Sequence, residues 1–229
     1  MITYNLFEVN PNLSTIIIEN CPNLEHLEMR SPILSHGVNA QFPIPPELPS
    51  RCPQLHTFGW VCFPSIANQF DLSPISQMHK LKSLTLSNLS VIDNTVFYAS
   101  VVNSGLPLTT LELRLPHSYQ THGLATFAPL AATLRTLRLH NFSYNLRPLQ
   151  LNLLPGLRSL TYYTSLRECD FETIDVLTSL PLDMLEIRFQ SSLRSIQLRE
   201  RFLQLMSKKP YRLTTRGTLY DTFCYTISS

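Results

Sequence analysis

The chain has 229 residues, of which 40 are leucine, 6 are glycine and only 15% are charged. That length lies between one large domain and two small ones and is enough to bury a core, which argues against a disordered chain. Its 18 basic and 16 acidic residues leave a net charge of +2, too little for a general field that draws in nucleic acid or anionic lipid.

The opening residues, 1–12, contain neither a basic region nor an apolar one, so they do not read as a signal peptide. Apolar runs such as Ile16 to Ile18 are far shorter than the roughly 18 residues that a membrane span requires. The expectation is therefore a chain with no membrane segment, residing in the cytoplasm or nucleus. Five cysteines, at positions 21, 52, 62, 169 and 224, form an odd set that suits a reducing compartment better than a disulfide framework. Asn12, Asn88 and Asn141 each begin an N-x-S sequon; without a secretory signal these read as chance matches.

In chain order, an apolar triplet spaced LxxLxL recurs seven times: Leu24, Leu27, Met29; Leu55, Phe58, Trp60; Leu81, Leu84, Leu86; Leu108, Leu111, Leu113; Leu134, Leu137, Leu139; Leu157, Leu160, Tyr162; and Leu182, Leu185, Ile187. The first members, Leu24, Leu55, Leu81, Leu108, Leu134, Leu157 and Leu182, are nearly evenly spaced, with one longer step between Leu24 and Leu55. Within each triplet the last two residues are two apart, the strand period, so a short strand turns both to one side and the residue between them to the other. Even Trp60, the single tryptophan, reads as core on this register.

Between triplets, stretches 92–104, 120–133 and 167–180 are long enough for a short helix. In the last of these, Phe171, Ile174, Val176, Leu177 and Leu180 approximate helical spacing. A unit of strand, turn, helix and return loop cannot bury its apolar side alone, so neighbours must stack, with parallel strands inside and helices outside. This predicts an α/β solenoid of about seven repeats over residues 1–190.

Two segments fall outside the repeat. Residues 31–50 carry Pro32, Pro43, Pro45, Pro46 and Pro49, which remove backbone donors and exclude regular helix, so this stretch reads as a projecting loop. Residues 192–209 read as a helix with Leu193, Ile196, Phe202, Leu203 and Met206 partly on one face, a cap for the solenoid. With the tail 211–229, which alternates too poorly for a strand assignment, that helix makes up a C-terminal segment, 191–229.

The segments CPNLEHLEM at Cys21 to Met29 and CPQLHTFGW at Cys52 to Trp60 resemble the repeat openings of fungal F-box and leucine-rich-repeat proteins, and the likeness covers about residues 13–190. It implies a leucine-rich-repeat solenoid, a curved right-handed superhelix of strand, turn and helix with a short parallel inner sheet and outer helices. It also implies a non-catalytic protein-binding role, as the substrate-recognition part of a cullin-type ubiquitin ligase, with a ligase adaptor as a further partner. No F-box of the family's kind precedes the first repeat in this sequence. A repeat scaffold with no ubiquitin role is the alternative.

Catalytic and metal chemistry find little purchase. Cys21, His26, Cys52 and His56 are the types that complete a tetrahedral zinc shell. However, Cys21 and Cys52 each stand three residues before the first triplet leucine, while the two histidines take different register positions, so the cysteines read as packed residues. No Gly-rich phosphate loop, GxSxG or HExxH motif occurs. Cys169 lies between Glu168 and Asp170, which disfavours its thiolate, and the carboxylates Glu168, Asp170, Glu172 and Asp175 read as a solvated helix side. No cofactor and no metal is expected. A metal-dependent hydrolase with a cavity under the Pro-rich loop is the competing enzymatic reading. Arg194, Arg199, Arg201, Lys208, Lys209, Arg212 and Arg216 form a local basic tract, read as the solvated face of the cap rather than a nucleic-acid surface.

Function is expected on the exposed strand positions, which form three columns. The first, His26, Thr57, Ser83, Thr110, Thr136, Ser159 and Met184, is mostly small hydroxyls. The second is Glu28, Gly59, Thr85, Glu112, Arg138, Thr161 and Glu186, and the third is Arg30, Val61, Ser87, Arg114, His140, Tyr163 and Arg188. Arginine and tyrosine are enriched at interfaces because each joins a rigid body to a polar end. Arg30, Arg114, Arg138, His140, Tyr163 and Arg188 are therefore the candidate contacts for a protein partner on the concave face, one bearing acidic residues. The competing reading pairs Glu112, Arg114, Arg138 and His140 in exposed, silent ion pairs between strands.

Overall fold

In the computed structural model, which describes residues 18–30, 44–61, 71–87, 94–114, 127–140, 151–163, 171–190, 193–207, 212–218 and 222–228, each apolar triplet leads into a strand. The architecture is α/β, and the chain divides into two units, Met1–Pro116 and His117–Ser229.

The first unit carries four parallel strands, β1 (His26–Arg30), β2 (Thr57–Val61), β3 (Ser83–Ser87) and β4 (Thr110–Arg114). They pair in chain order, and the register sets His26 against Thr57, Thr57 against Ser83 and Ser83 against Thr110, so each offset equals the step of the sequence repeat. One device sets each strand's start: the carbonyl just before a strand accepts two N–H groups from the next repeat. Glu25 takes His56 and Thr57, His56 takes Lys82 and Ser83, and Lys82 takes Thr109 and Thr110, all at 2.8 to 3.0 Å. A carbonyl oxygen has two lone pairs, so this doubling leaves no donor orphaned at the entry to the ladder.

Leu84, Leu86, Leu111 and Leu113 are fully buried and Trp60 is 1% exposed, each such side chain stabilising the fold by about 1.5 to 3 kcal/mol. The apolar face is covered by short helical turns: α1 (Leu48–Arg51), α2 (Ser73–Ser76) and α3 (Asn94–Phe97), the last running into a π turn at Tyr98–Val102. Leu48, Ile75, Phe97 and Val101 fill the core from these turns. Asp71 fixes the entry to α2 by accepting from the Ser73 N–H at 2.8 Å and the Ser73 hydroxyl at 2.9 Å. Gly105, at φ 74°, releases the chain after the π turn in a conformation that a Cβ would strain.

The second unit has parallel strands β5 (Thr136–His140), β6 (Ser159–Tyr163) and β7 (Met184–Gln190). Thr136 pairs with Ser159 and Ser159 with Met184, again at the repeat step. The doubled carbonyl recurs: Arg135 accepts from Arg158 and Ser159, and Arg158 accepts from Asp183 and Met184. Turns of 3-10 helix at Ala128–Leu130 and Leu151–Leu153, and α4 (Phe171–Ser179), supply the outer elements. Then come α5 (Leu193–Met206) and the strands β8 (Arg212–Thr218) and β9 (Thr222–Ser228). Every triplet position in both units is at most 5% exposed.

Three expectations change. Regular helix is excluded from the Pro-rich stretch on composition, yet α1 begins at Leu48 with Pro49 in its first turn, where the missing N–H would have had no helical partner anyway. Ile44 and Leu48 are buried, so the end of that stretch packs rather than projects. The part of 120–133 that is described contains a single 3-10 turn, not an α-helix. The tail forms a β-hairpin: β9 runs antiparallel to β7 on one side and to β8 on the other. The helix expected over 192–209 is α5, whose Phe202 is fully buried.

Candidate functional site

The strand face opposite the triplets carries the candidate residues, and each unit holds its own set. In the first unit, Thr85 of β3 pairs with Glu112 of β4, and Ser87 with Arg114. Glu112 and Arg114 are two residues apart and so project to the same side. The Arg114 Nε donates to the Glu112 Oε1 at 2.7 Å, and its Nη2 lies 2.6 Å from the same oxygen. The Arg114 side chain is 49% exposed but that of Glu112 only 10%. The carboxylate thus anchors a guanidinium whose outer part meets solvent, an arrangement that preorganises the arginine for a second contact. Ser87, the register neighbour of Arg114, is 5% exposed and its hydroxyl has no hydrogen-bond partner among the described residues. Arg30 closes β1 opposite Val61; its side chain lies outside the described residues.

In the second unit, His140, Tyr163 and Arg188 are successive register partners across β5, β6 and β7. The His140 and Tyr163 rings meet edge-to-face, with centroids 4.6 Å apart and planes at 79°, a favoured aromatic geometry. The Tyr163 hydroxyl donates to Glu186 Oε1 at 2.7 Å. Tyr163 is thus held at both ends, by a ring and by a carboxylate, while remaining partly exposed. Arg138 is half-buried and faces Thr161 in register, and Thr161 in turn faces Glu186. Thr161 is only 3% exposed, as expected for a short side chain between two long ones. The side chain of Arg188 lies outside the described residues.

Composition of the columns alone missed the part played by Glu112 and Glu186. The signal was present in the spacing: each stands two residues before an arginine on the same strand face, in the ELR and EIR segments at 112–114 and 186–188. The ion pair at Glu112 also lies within one strand rather than between strands, and it is partly buried rather than exposed.

Two cysteines, Cys21 and Cys52, have described side chains, and both thiols are free. Cys52 is 1% exposed and its thiol lies 3.6 Å from the Cys21 carbonyl oxygen and 4.0 Å from that of Ile18. Burial, and secondarily the neighbouring Cys21, push its pKa above the ordinary thiol value, which keeps it protonated. Among the described residues no group of three or more His, Cys, Asp or Glu side chains could hold a metal ion, and no helix is long and apolar enough to cross a membrane. Glu172 and Asp175 are exposed on α4, and Arg201 of the basic tract lies 3.3 Å from Asp175. Cys169 and the three sequon asparagines lie outside the described residues.

No family model matches the chain, and no curated protein matches it either.

Proposed function

We propose that the chain is a non-catalytic protein-interaction module of the leucine-rich-repeat type, its repeats curving as a right-handed solenoid and its polar strand face receiving a partner in the cytoplasm or nucleus. The observation that carries this reading is Tyr163, a partly exposed aromatic whose ring is braced by His140 and whose hydroxyl is fixed by Glu186. A large side chain already held in one rotamer loses little entropy on binding, which is the property of interface anchors. Arg114, held by Glu112, is the corresponding anchor in the first unit and favours an acidic group on the partner.

By resemblance of the repeat openings to fungal F-box proteins, the partner is a substrate delivered to a cullin-type ubiquitin ligase. The test is quantitative affinity purification of the wild-type chain against Tyr163→Ala and Arg114→Ala variants shown to be folded. The reading predicts a protein retained by wild type and depleted with both variants. A partner set unchanged by both substitutions would remove the strand face as the site. Failure of a purified ligase adaptor to bind at saturating concentration would remove the ligase role and leave a general scaffold.

A further inference from the structure

Cys21 and Cys52 are equivalent residues of neighbouring repeats, separated in sequence by the same step as the register partners His26 and Thr57. The turns that hold them are congruent: the Leu24 N–H donates to the Cys21 carbonyl at 3.0 Å, and the Leu55 N–H to the Cys52 carbonyl at 3.1 Å. The ladder between the two repeats already begins at Glu25, which accepts from His56 and Thr57. Equivalent residues of stacked repeats sit about one strand spacing apart, roughly 4.8 Å, inside the Cα separation of about 4.4 to 6.8 Å that a disulfide spans. The Cys52 thiol lies over the Cys21 backbone, 3.6 Å from its carbonyl oxygen. Both thiols are free, and the electrostatic influence of Cys21 on Cys52 agrees with their closeness.

Access differs between the two. Cys21 is half-buried, at a shallow hollow of about 360 Å³ lined by residues 20–26, whereas Cys52 is 1% exposed. From this pairing we infer that Cys21 and Cys52 form a reversible disulfide, a redox-sensitive staple between two neighbouring repeats, with Cys21 as the entry point for a small-molecule disulfide. The Cys21 thiolate attacks one sulfur of the oxidant, forming a mixed disulfide and expelling one thiol. The Cys52 thiol then gives up its proton and attacks the Cys21 sulfur, expelling the second thiol. The protein loses two electrons and two protons, and one small disulfide becomes two thiols. Burial slows the second step, but adjacency makes it intramolecular, with the high effective concentration that this brings.

The staple would close the chain between the two turns and restrict the unfolded state. The test treats the full chain with oxidised glutathione, unfolds it in the presence of an alkylating agent that blocks the remaining thiols, and maps the peptides by mass spectrometry. The inference expects a linked Cys21–Cys52 peptide pair, about 2 Da below the sum of the reduced peptides, which a reductant reverses. In Cys52→Ser, the glutathione adduct should persist on Cys21; in Cys21→Ser, Cys52 should remain alkylatable only after unfolding. Wild-type protein in which both cysteines stay alkylatable, or in which either links to a different cysteine, overturns the inference, and that result is read without either variant.

Discussion

The side chain of Glu28 lies across Gly59: a β-carbon built on Gly59 would come within 3.0 Å of the Glu28 Cγ and 3.5 Å of its Cβ. The two are register partners on β1 and β2, and the glycine leaves room for the neighbouring side chain to lie flat against the ladder. Gly59→Ala sets this crowding against the better strand propensity of alanine. Because the contact calls for only a small shift of the Glu28 side chain, the net change should be within about 1 kcal/mol. Gly59→Val leaves less room for that adjustment and should destabilise by about 1 to 3 kcal/mol. Urea unfolding of the two variants checks the order.

Core truncation gives the reference magnitude. Leu111 and Leu137 are fully buried on β4 and β5, one in each unit. Leu111→Ala and Leu137→Ala should each cost about 2 to 5 kcal/mol through the cavity left behind. Chemical denaturation measures this, and a cost under about 1 kcal/mol would contradict the register of the triplets.

Arg114 contributes to folding through its ion pair with Glu112. An exposed arginine could be removed at little expense, but this one lies against a carboxylate whose side chain is 10% exposed. Arg114→Ala should therefore destabilise by about 1 to 2 kcal/mol, the half-exposed guanidinium keeping the figure moderate. Glu112→Gln, which keeps shape and an acceptor, should cost less. A thermodynamic cycle with both substitutions should return a coupling of about 0.5 kcal/mol or more.

Tyr163→Phe separates the two supports of that ring. It keeps the edge-to-face contact with His140 and removes the hydroxyl that donates to Glu186. Stability should fall by about 0.5 to 1.5 kcal/mol. Tyr163→Ala removes both and should weaken binding of the partner by roughly 1 to 3 kcal/mol. Calorimetry with the partner recovered by affinity purification distinguishes the two variants, since only the alanine form loses the aromatic body.

Alkaline pH acts through Cys52. Its pKa in the folded state is raised above the ordinary 9.0, chiefly by burial and then by Cys21. The unfolded chain therefore releases this proton first as pH rises, so the stability is fully present below about pH 9 and is lost as pH climbs towards the folded value. Under reducing conditions, unfolding midpoints measured from about pH 8 to 10.5 should fall more steeply for wild type than for Cys52→Ala. Parallel slopes would show that the buried thiol does not titrate as described.

The sequence by itself determined the repeat, because burial with a period of two inside a larger period leaves a mark on residue type at every turn of the chain. The triplets from Leu24 to Ile187 predicted the core, and within each unit their steps became the strand offsets, since parallel neighbours in a stack can only pair at the repeat distance. Columns on the strand face opposite the triplets followed from the same register, so Arg114, His140 and Tyr163 were legible as candidates, while the burial of Ser87, Glu112 and Thr161 on that face was not. Tertiary structure alone decided what holds them. Whether Arg114 finds Glu112, or Tyr163 reaches Glu186, depends on rotamers and burial rather than on residue type. The β-hairpin at 212–228 was equally illegible, because its strands are specified by pairing with β7 and carry little local signal of their own. Pro49, read in isolation as a helix breaker, starts a helix because position within the turn, and not composition, decides whether its missing N–H matters.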